Sequence, residues 1–140
     1  MNQVSFIPSH AACFACGRLN ENGLGLIFEV LGDGISCRTT LDSTYQSYDR
    51  IVHGGILASI ADAAMVNLVY RKYGGRPLTC SLEMRYRASI TVGEEITATA
   101  VLLKRKHRIV WALCRITVGD RLCAEATGAF KIDHRQVSDD

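Results

Sequence analysis

The segment that begins at Val52 carries the residue types best suited to chemistry. Gly54 and Gly55 stand at the start of an apolar helical pattern, and Asp62 lies about two turns inside it. A buried carboxylate is costly unless it is paired, hydrogen-bonded or used in a reaction. The glycines leave the first backbone N–H groups of the helix uncovered, and such groups bind developing negative charge. A backbone donor and a carboxylate in one segment indicate acyl chemistry.

The spacing of these two groups predicts how the site is assembled. Gly54 and Asp62 are eight positions apart, which is about 12 Å along a helix. A reacting carbonyl must lie about 3 Å from both its oxyanion donor and the attacking atom. One chain does not readily supply both groups to one carbon, whereas two antiparallel helices related by a two-fold axis do. We therefore expect a dimer with two identical sites and an inactive monomer.

The composition is that of one globular domain over residues 1–140, with 48% hydrophobic and 21% charged residues. A net charge of +2 is too small to indicate a nucleic-acid partner. The chain contains no run of eighteen apolar residues, and its first residues lack a basic segment followed by an apolar one. We therefore expect a cytoplasmic protein without membrane association.

The cysteines raise the question of a metal site. Four of the six lie singly in apolar or strand-like runs, where a reduced cysteine behaves as a small hydrophobic residue. Cys13 and Cys16, preceded by His10, have the spacing of half a zinc site. A second cysteine pair is absent, so the sequence predicts no metal and no cofactor.

The periodicity of the apolar residues predicts an α+β fold. Three- and four-residue spacings predict one helix over Gly54–Tyr73, with Gly74 as its C-cap. Residues 1–23 are predicted to form an N-terminal arm with one short helical turn. Strand-like patterns cover residues 24–30, 35–41, 78–87, 95–104, 109–117 and 122–132. The order β-β-α-β-β-β-β indicates antiparallel strands around one buried helix.

Several motifs resemble a known family over nearly the whole chain. They are Cys13-Phe14-Ala15-Cys16-Gly17, Asn22-Gly23-Leu24, Tyr45-Gln46-Ser47, Val52-His53-Gly54-Gly55 with Asp62, Tyr86 before Val92-Gly93-Glu94, and Ala124-Glu125-Ala126-Thr127-Gly128. This set resembles hotdog-fold thioesterases of the phenylacetate-degradation (PaaI-like) type, in which a curved antiparallel sheet wraps one central helix. His-Gly-Gly alone is a weak motif, but its combination with the spaced aspartate, the preceding glutamine and the later strands is specific.

The resemblance implies hydrolysis of an acyl-CoA thioester at a dimer interface, with CoA as part of the substrate. It implies that the Gly54 N–H polarises the carbonyl, that Asp62 acts as general base or nucleophile, and that Thr79 helps to place the attacking water. Relatives often carry asparagine where this chain has Ser47, beside Gln46. Which of these two contacts the substrate therefore stays open.

The remaining candidates surround the helix start and the expected path of CoA. His53 is a candidate catalytic residue, although its position favours the alternative, which is that it orients the start of the helix through hydrogen bonds. Tyr86 and Arg87 are expected along the pantetheine path. Lys104 and Arg105 are expected either to bind the CoA phosphates or to form a solvated hairpin tip.

Two other functions are compatible with the same pattern. One is an acyl-CoA binding module without turnover, and the other is a hotdog dehydratase or hydratase. The retained Asp62 argues against the first, and the thioesterase spacing of Asp62 argues against the second. The sequence determines neither the acyl group nor whether two dimers associate into a tetramer.

Overall fold

One long helix packs on a curved antiparallel sheet of six strands in this computed structural model, which describes residues 3–4 and 7–134. The elements are β1 (Glu29–Leu31), β2 (Gly34–Thr40), a 3-10 turn (Ser43–Tyr45), α1 (Gly54–Tyr73), β3 (Arg76–Tyr86), β4 (Glu95–Lys106), β5 (Ile109–Val118) and β6 (Arg121–Asp133). This is the α+β hotdog architecture that the sequence predicts.

The sheet places β3, the strand after the helix, at one edge. Its strand order is β1-β2-β4-β5-β6-β3, and all neighbours are antiparallel. Within residues 3–4 and 7–134, strand β3 therefore pairs with β6 on one side only. Its edge position also accommodates Pro77, which has no N–H to donate. The predicted strand after Pro77 begins at Arg76 for this reason.

Helix α1 is confirmed at both predicted ends. His53 caps its start, because the imidazole Nδ1 accepts a hydrogen bond from the Gly55 N–H at 2.8 Å. Gly74 ends the helix with a positive φ of 69°. From Leu57 onwards most side chains are buried, which explains why the helix is apolar on more than one face.

The N-terminal arm covers the side of α1 that the sheet leaves open, and this changes the first strand. The backbone of residues 24–28 pairs with the arm, as in the bond from the Leu24 N–H to the Phe14 carbonyl at 2.7 Å. The prediction that β1 starts at residue 24 is therefore wrong, and the strand begins at Glu29. The helical turn predicted in the arm is a single turn, closed by the Gly17 N–H on the Cys13 carbonyl at 2.9 Å.

The other strands agree with their predicted ends to within two residues. No helix in the described part of the chain combines the length and the hydropathy that crossing a membrane requires.

Candidate active site

Asp62 lies in the third turn of α1, half-buried at the surface that faces strand β3 and the arm. Its Oδ1 accepts a hydrogen bond from the Thr79 hydroxyl at 2.7 Å. Burial raises the pKa of the Asp62 carboxyl, while the hydrogen bond from Thr79 and the nearby His10 ring oppose that rise. The carboxyl is thus held by one donor and partly shielded from water, as a general base or nucleophile requires.

A cavity of about 230 Å³ opens beside this carboxylate. Thr79 lines it, together with four residues of the arm, His10, Cys13, Ala15 and Cys16. Burial lowers the pKa of the His10 imidazole, against the opposing charge of Asp62. The arm therefore forms one wall of the cavity at Asp62, a role that its sequence position did not predict.

A β-bulge in β3 brings two candidate site residues, Thr79 and Tyr86, to the same face of the strand. Thr79 pairs with Phe130 and Ser81 pairs with Ala129, so Cys80 is an extra residue without a partner. Residues an odd number of positions apart point to opposite faces of a regular strand. Thr79 and Tyr86 are seven apart, yet both contact α1. Because Cys80 is an extra residue, an even number of paired positions separates Thr79 from Tyr86, and both side chains lie on the same face.

The start of α1 leaves one backbone donor without an acceptor. The Gly55 N–H is capped by His53, and the N–H groups of Ile56 and Leu57 bond the His53 carbonyl at 3.0 and 3.3 Å. Among the described residues, the Gly54 N–H has no acceptor. The first turn therefore presents a single free N–H, at the glycine that the sequence selects as the oxyanion donor.

Tyr86 holds this glycine from the strand. Its hydroxyl donates to the Gly54 carbonyl at 2.6 Å, and its ring would lie 3.3 Å from a side chain built on Gly54. His53 caps the helix, which is the alternative to a catalytic role that its position in the sequence predicts. Its ring lies 3.0 Å from where a Gly55 side chain would begin, which makes glycine the residue that fits there.

Gly54 and Asp62 line different cavities. Gly54 shares a cavity of about 370 Å³ with Ser47, Tyr86 and Arg87. The structure therefore brings Ser47 and the two residues of the expected pantetheine path together at Gly54, the predicted oxyanion donor, and apart from Asp62.

Gln46 lines a third cavity, of about 280 Å³, beside His53 and Gly55. Its Oε1 accepts a hydrogen bond from the Arg50 N–H at 3.1 Å, so the side chain also holds its own loop. Of the two candidates left open by the sequence, Ser47 is the one that shares a cavity with Gly54.

The basic residues of β4 lie at the opposite end of the helix. Strand β4 continues to Lys106, so Lys104 and Arg105 belong to the strand rather than to the turn after it. The Lys104 ammonium sits 4.6 Å from the centre of the Trp111 ring, and the Arg105 guanidinium 4.5 Å from that of Tyr73, the last residue of α1. Neither is near Gly54 of its own chain.

Arg87 is engaged on the sheet surface beside the Gly54 cavity. Its Nε and Nη2 bond Glu125 Oε1 at 2.9 and 2.8 Å. The guanidinium is half-exposed, so it retains solvent-facing donors next to the cavity.

Comparison with known proteins identifies the family. The sequence model of the Thioesterase superfamily matches residues 50–125, which is more than half of the chain and includes all of α1. The chain belongs to the Thioesterase superfamily. None of the curated proteins compared with it matches it.

Solved structures of the superfamily share this fold. A thioesterase superfamily protein superposes with a TM-score of 0.75 at 24% identity, over 83% of this chain and 61% of that one. This chain therefore spans about three fifths of that relative. A point mutant of the phenylacetic acid degradation protein PaaI from Thermus thermophilus gives 0.71 at 21% identity, over 78% and 94% of the two chains. Zebra fish thioesterase superfamily member 2 gives 0.74 at 16%, over 91% and 99%.

Two features of this superfamily member have no sufficient signal in the amino-acid sequence. The bulge at Cys80 leaves no local signal, because a bulge is a property of pairing between strands. The proximity of His10 to Asp62 requires the arm to fold back over α1. The only sequence signal for it was the spacing of His10, Cys13 and Cys16, which suggested a cluster but not its location.

Proposed function

We propose that this chain hydrolyses an acyl-CoA thioester to the free acid and CoA, at two equivalent sites shared between two copies of the chain. The observation that carries the proposal is the half-buried Asp62 carboxylate, hydrogen-bonded to Thr79 at 2.7 Å beside a cavity, in a member of the Thioesterase superfamily. The Gly54 N–H serves as the donor to the thioester oxygen. CoA enters as part of the substrate, and no further cofactor takes part.

The separation of the two groups supports a site between chains. Gly54 and Asp62 stand about 12 Å apart along α1 and line separate cavities. A thioester carbon held near Asp62 of one chain therefore needs its donor from Gly54 of the partner. In an isologous dimer the arrangement occurs twice.

A single two-fold axis satisfies both the helices and the strands. An axis at Ala58, midway between Gly54 and Asp62, places each beside the other of the partner. In β3 the midpoint between Tyr86, which contacts Gly54, and Thr79, which contacts Asp62, falls between Leu82 and Glu83. The midpoint in β3 and the midpoint in α1 each lie halfway between the Gly54 contact and the Asp62 contact. A two-fold axis that pairs two β3 edges would therefore also bring two antiparallel helices together.

The exposed stripe of α1 supports the same pairing. Gly55 is exposed and Ala58, Ser59 and Asp62 are partly exposed, at helical spacings of three and four. Small residues permit close approach of a second helix. Strand β3 adds an edge that no other described strand pairs with, which is a template for another strand. Association of two such dimers into a tetramer remains part of the proposal.

The chemistry needs little beyond these groups. In one route Asp62 accepts a proton from water, the water oxygen attacks the carbonyl carbon, and the Gly54 N–H stabilises the oxyanion. The C–S bond then breaks, and CoA leaves as a thiolate, which is a good leaving group. In the other route the Asp62 carboxylate attacks the carbon, CoA leaves, and water hydrolyses the resulting anhydride. Both routes use Asp62, and Thr79 positions its carboxylate.

A panel of acyl-CoA and enoyl-CoA substrates with a thiol-trapping dye tests the function. Release of CoA with formation of the free acid is expected. Asp62→Asn should lower kcat by roughly 10²–10⁴, the range for a positioned base, with the fold retained. The matched control is Asp33→Asn, in the β1–β2 turn, which should leave kcat unchanged.

The same panel separates the alternatives. If the protein binds acyl-CoA but releases thiol from none of the substrates tested, it is a binding module. Loss of enoyl absorbance without release of thiol would identify a hydratase. Full activity of Asp62→Asn would reject the assigned mechanism.

A further inference from the structure

We propose a binding site for one zinc ion per chain, formed by His10, Cys13 and Cys16 of the N-terminal arm. The three possible ligand atoms lie within 4.8 Å of one another. The sequence alone predicts no metal because it lacks a second cysteine pair. The folded arm changes that expectation, since it brings a histidine to the one pair present. This inference does not depend on the proposed thioester hydrolysis.

The spacing of the ligand atoms fits tetrahedral zinc. Bonds of about 2.3 Å to sulfur and 2.0–2.1 Å to nitrogen set the two atoms roughly 3.6 Å apart at a tetrahedral angle. His10 Nδ1 and Cys16 Sγ are 3.6 Å apart. Hydrogen bonds join the same atoms when no metal is bound, from Cys16 to the His10 ring and between the Cys13 and Cys16 thiols. The cluster therefore has the spacing of a zinc site, and direct measurement of metal binding separates the two explanations.

The backbone around the ligands holds them in place. The Cys13 N–H bonds the His10 carbonyl at 3.0 Å, and the Gly17 N–H bonds the Cys13 carbonyl at 2.9 Å. A side chain on Gly17 would lie 2.3 Å from the Cys13 nitrogen, so only glycine permits this turn. The turn thus presents Cys-x-x-Cys in a fixed conformation, as a zinc site requires.

Asn67 supplies the outer contact that metal-bound thiolates commonly receive. This side chain is 4% exposed. Its Nδ2 donates to the Ala63 carbonyl at 2.8 Å and lies 3.9 Å from Cys16 Sγ. Because the amide carries two hydrogens, one remains for the sulfur. Such outer donors orient ligands and adjust the metal.

The three ligands also line the cavity that contains Asp62 and Thr79. Zinc held by three protein ligands keeps a fourth position for water or another small ligand. We therefore infer that this fourth position faces the cavity, and that the ion fastens the arm against α1. A ligand set of two thiolates and one imidazole favours zinc over magnesium or calcium, which bind oxygen ligands.

The test is metal binding by the reduced, full-length chain. After chelator treatment, titration with Zn²⁺ against a chromophoric chelator should give one ion per chain, checked by elemental analysis. Cobalt substitution should give sulfur-to-metal charge-transfer absorption and the d–d bands of tetrahedral coordination. Zinc should also protect the partly exposed Cys13, but not the exposed Cys80, from alkylation as read by peptide mass spectrometry.

Variants locate the site. His10→Gln, Cys13→Ser and Cys16→Ser should each lose stoichiometric zinc, and Asn67→Ala should bind it roughly 10- to 100-fold more weakly. Cys80→Ser is the matched control and should bind as the wild type does. Circular dichroism checks the fold, and the alkylation and cobalt measurements on unaltered protein give a result even where a variant does not fold.

Three outcomes would overturn the proposal. One is a reduced chain that takes up no zinc. Another is zinc binding that survives loss of the cluster ligands in folded variants. The third is a Cys13–Cys16 disulfide whose reduction does not restore metal uptake.

Discussion

At the scale of single residues, Asp62 combines two opposing influences on one carboxyl. Burial raises its pKa, and the hydroxyl of Thr79 opposes the rise by donating a hydrogen bond to the charged form. The carboxylate is the form that acts as base or nucleophile. Activity should therefore decline as the pH falls through a pKa above the usual value for aspartate.

Replacing Thr79 with valine tests this balance. Thr79→Val keeps the shape of the side chain but removes the donor, so the pKa of Asp62 should rise further. The acid limb of the kcat/KM profile should then move to higher pH, with a smaller effect on the alkaline side. Thr99→Val, the same change in β4, is the control and should leave the limb in place. An unmoved limb in Thr79→Val would show that the hydrogen bond does not influence the titrating group.

At the scale of elements, the bulge in β3 determines which side chains meet the helix. Cys80 lets Thr79 and Tyr86 share a face of the strand although their spacing is odd. One strand thereby supports both Asp62 and Gly54. A regular strand of the same sequence would turn one of the two supports away from α1.

Deleting Cys80 should restore regular pairing and separate the two supports. Displacement of a reacting group by about 1 Å costs about 10²-fold in rate, so a loss of about that size is expected in kcat/KM. Circular dichroism should show the sheet retained, because β3 keeps its pairing with β6. Cys80→Ala keeps the bulge and is the control. Near-normal rates in a folded deletion variant would mean that Thr79 and Tyr86 need not share a face.

At the scale of the whole molecule, the two halves of the proposed site belong to different chains. Gly54→Pro is suited to testing this, because proline is tolerated at the first helical position and removes the N–H. His53 has the extended ψ of 132° that a residue before proline prefers. Gly54→Ala adds a comparable contact with Tyr86 but keeps the N–H, and so serves as the steric control.

Mixing Gly54→Pro with Asp62→Asn should restore activity. A mixed dimer has both defects in one site and none in the other. With random exchange and independent sites, equal amounts of two inactive parents should recover about a quarter of wild-type activity per chain. Subunit exchange is verified by native mass spectrometry. Exchange without recovery would show that the two residues do not meet across an interface.

Lys104 and Arg105, at the end of β4, are remote from Gly54 of their own chain. Their predicted contact with CoA therefore belongs to the scale of the whole molecule. If Lys104 and Arg105 bind CoA phosphates, changing both to alanine should raise KM several-fold with kcat little altered, as loss of uniform binding does. Lys72→Ala, a basic residue in the last turn of α1, is the charge control. An unchanged KM at low salt would assign Lys104 and Arg105 to an ordinary solvated hairpin.

Local patterns were sufficient to predict α1 and all strands except the first, and to select the two central residues of the proposed site. The ends of α1 follow from apolar spacing and from Gly74, which act within a few residues. The strands after β1 follow from period-two alternation in the same way. Gly54 and Asp62 stand out because helix geometry alone gives one a free N–H and the other a costly buried charge.

The tertiary structure alone decided what supports those residues. The partner of Asp62 is seventeen positions away in β3, and its orientation depends on a bulge that arises from pairing with β6. The first strand is shorter than its sequence pattern because the backbone of residues 24–28 pairs with the arm. The N-terminal arm folds back over α1, and this brings His10, Cys13 and Cys16 together beside Asp62. Periodicity records only which face of an element is buried, whereas these contacts depend on strand register and on the path of the arm, which the whole fold determines.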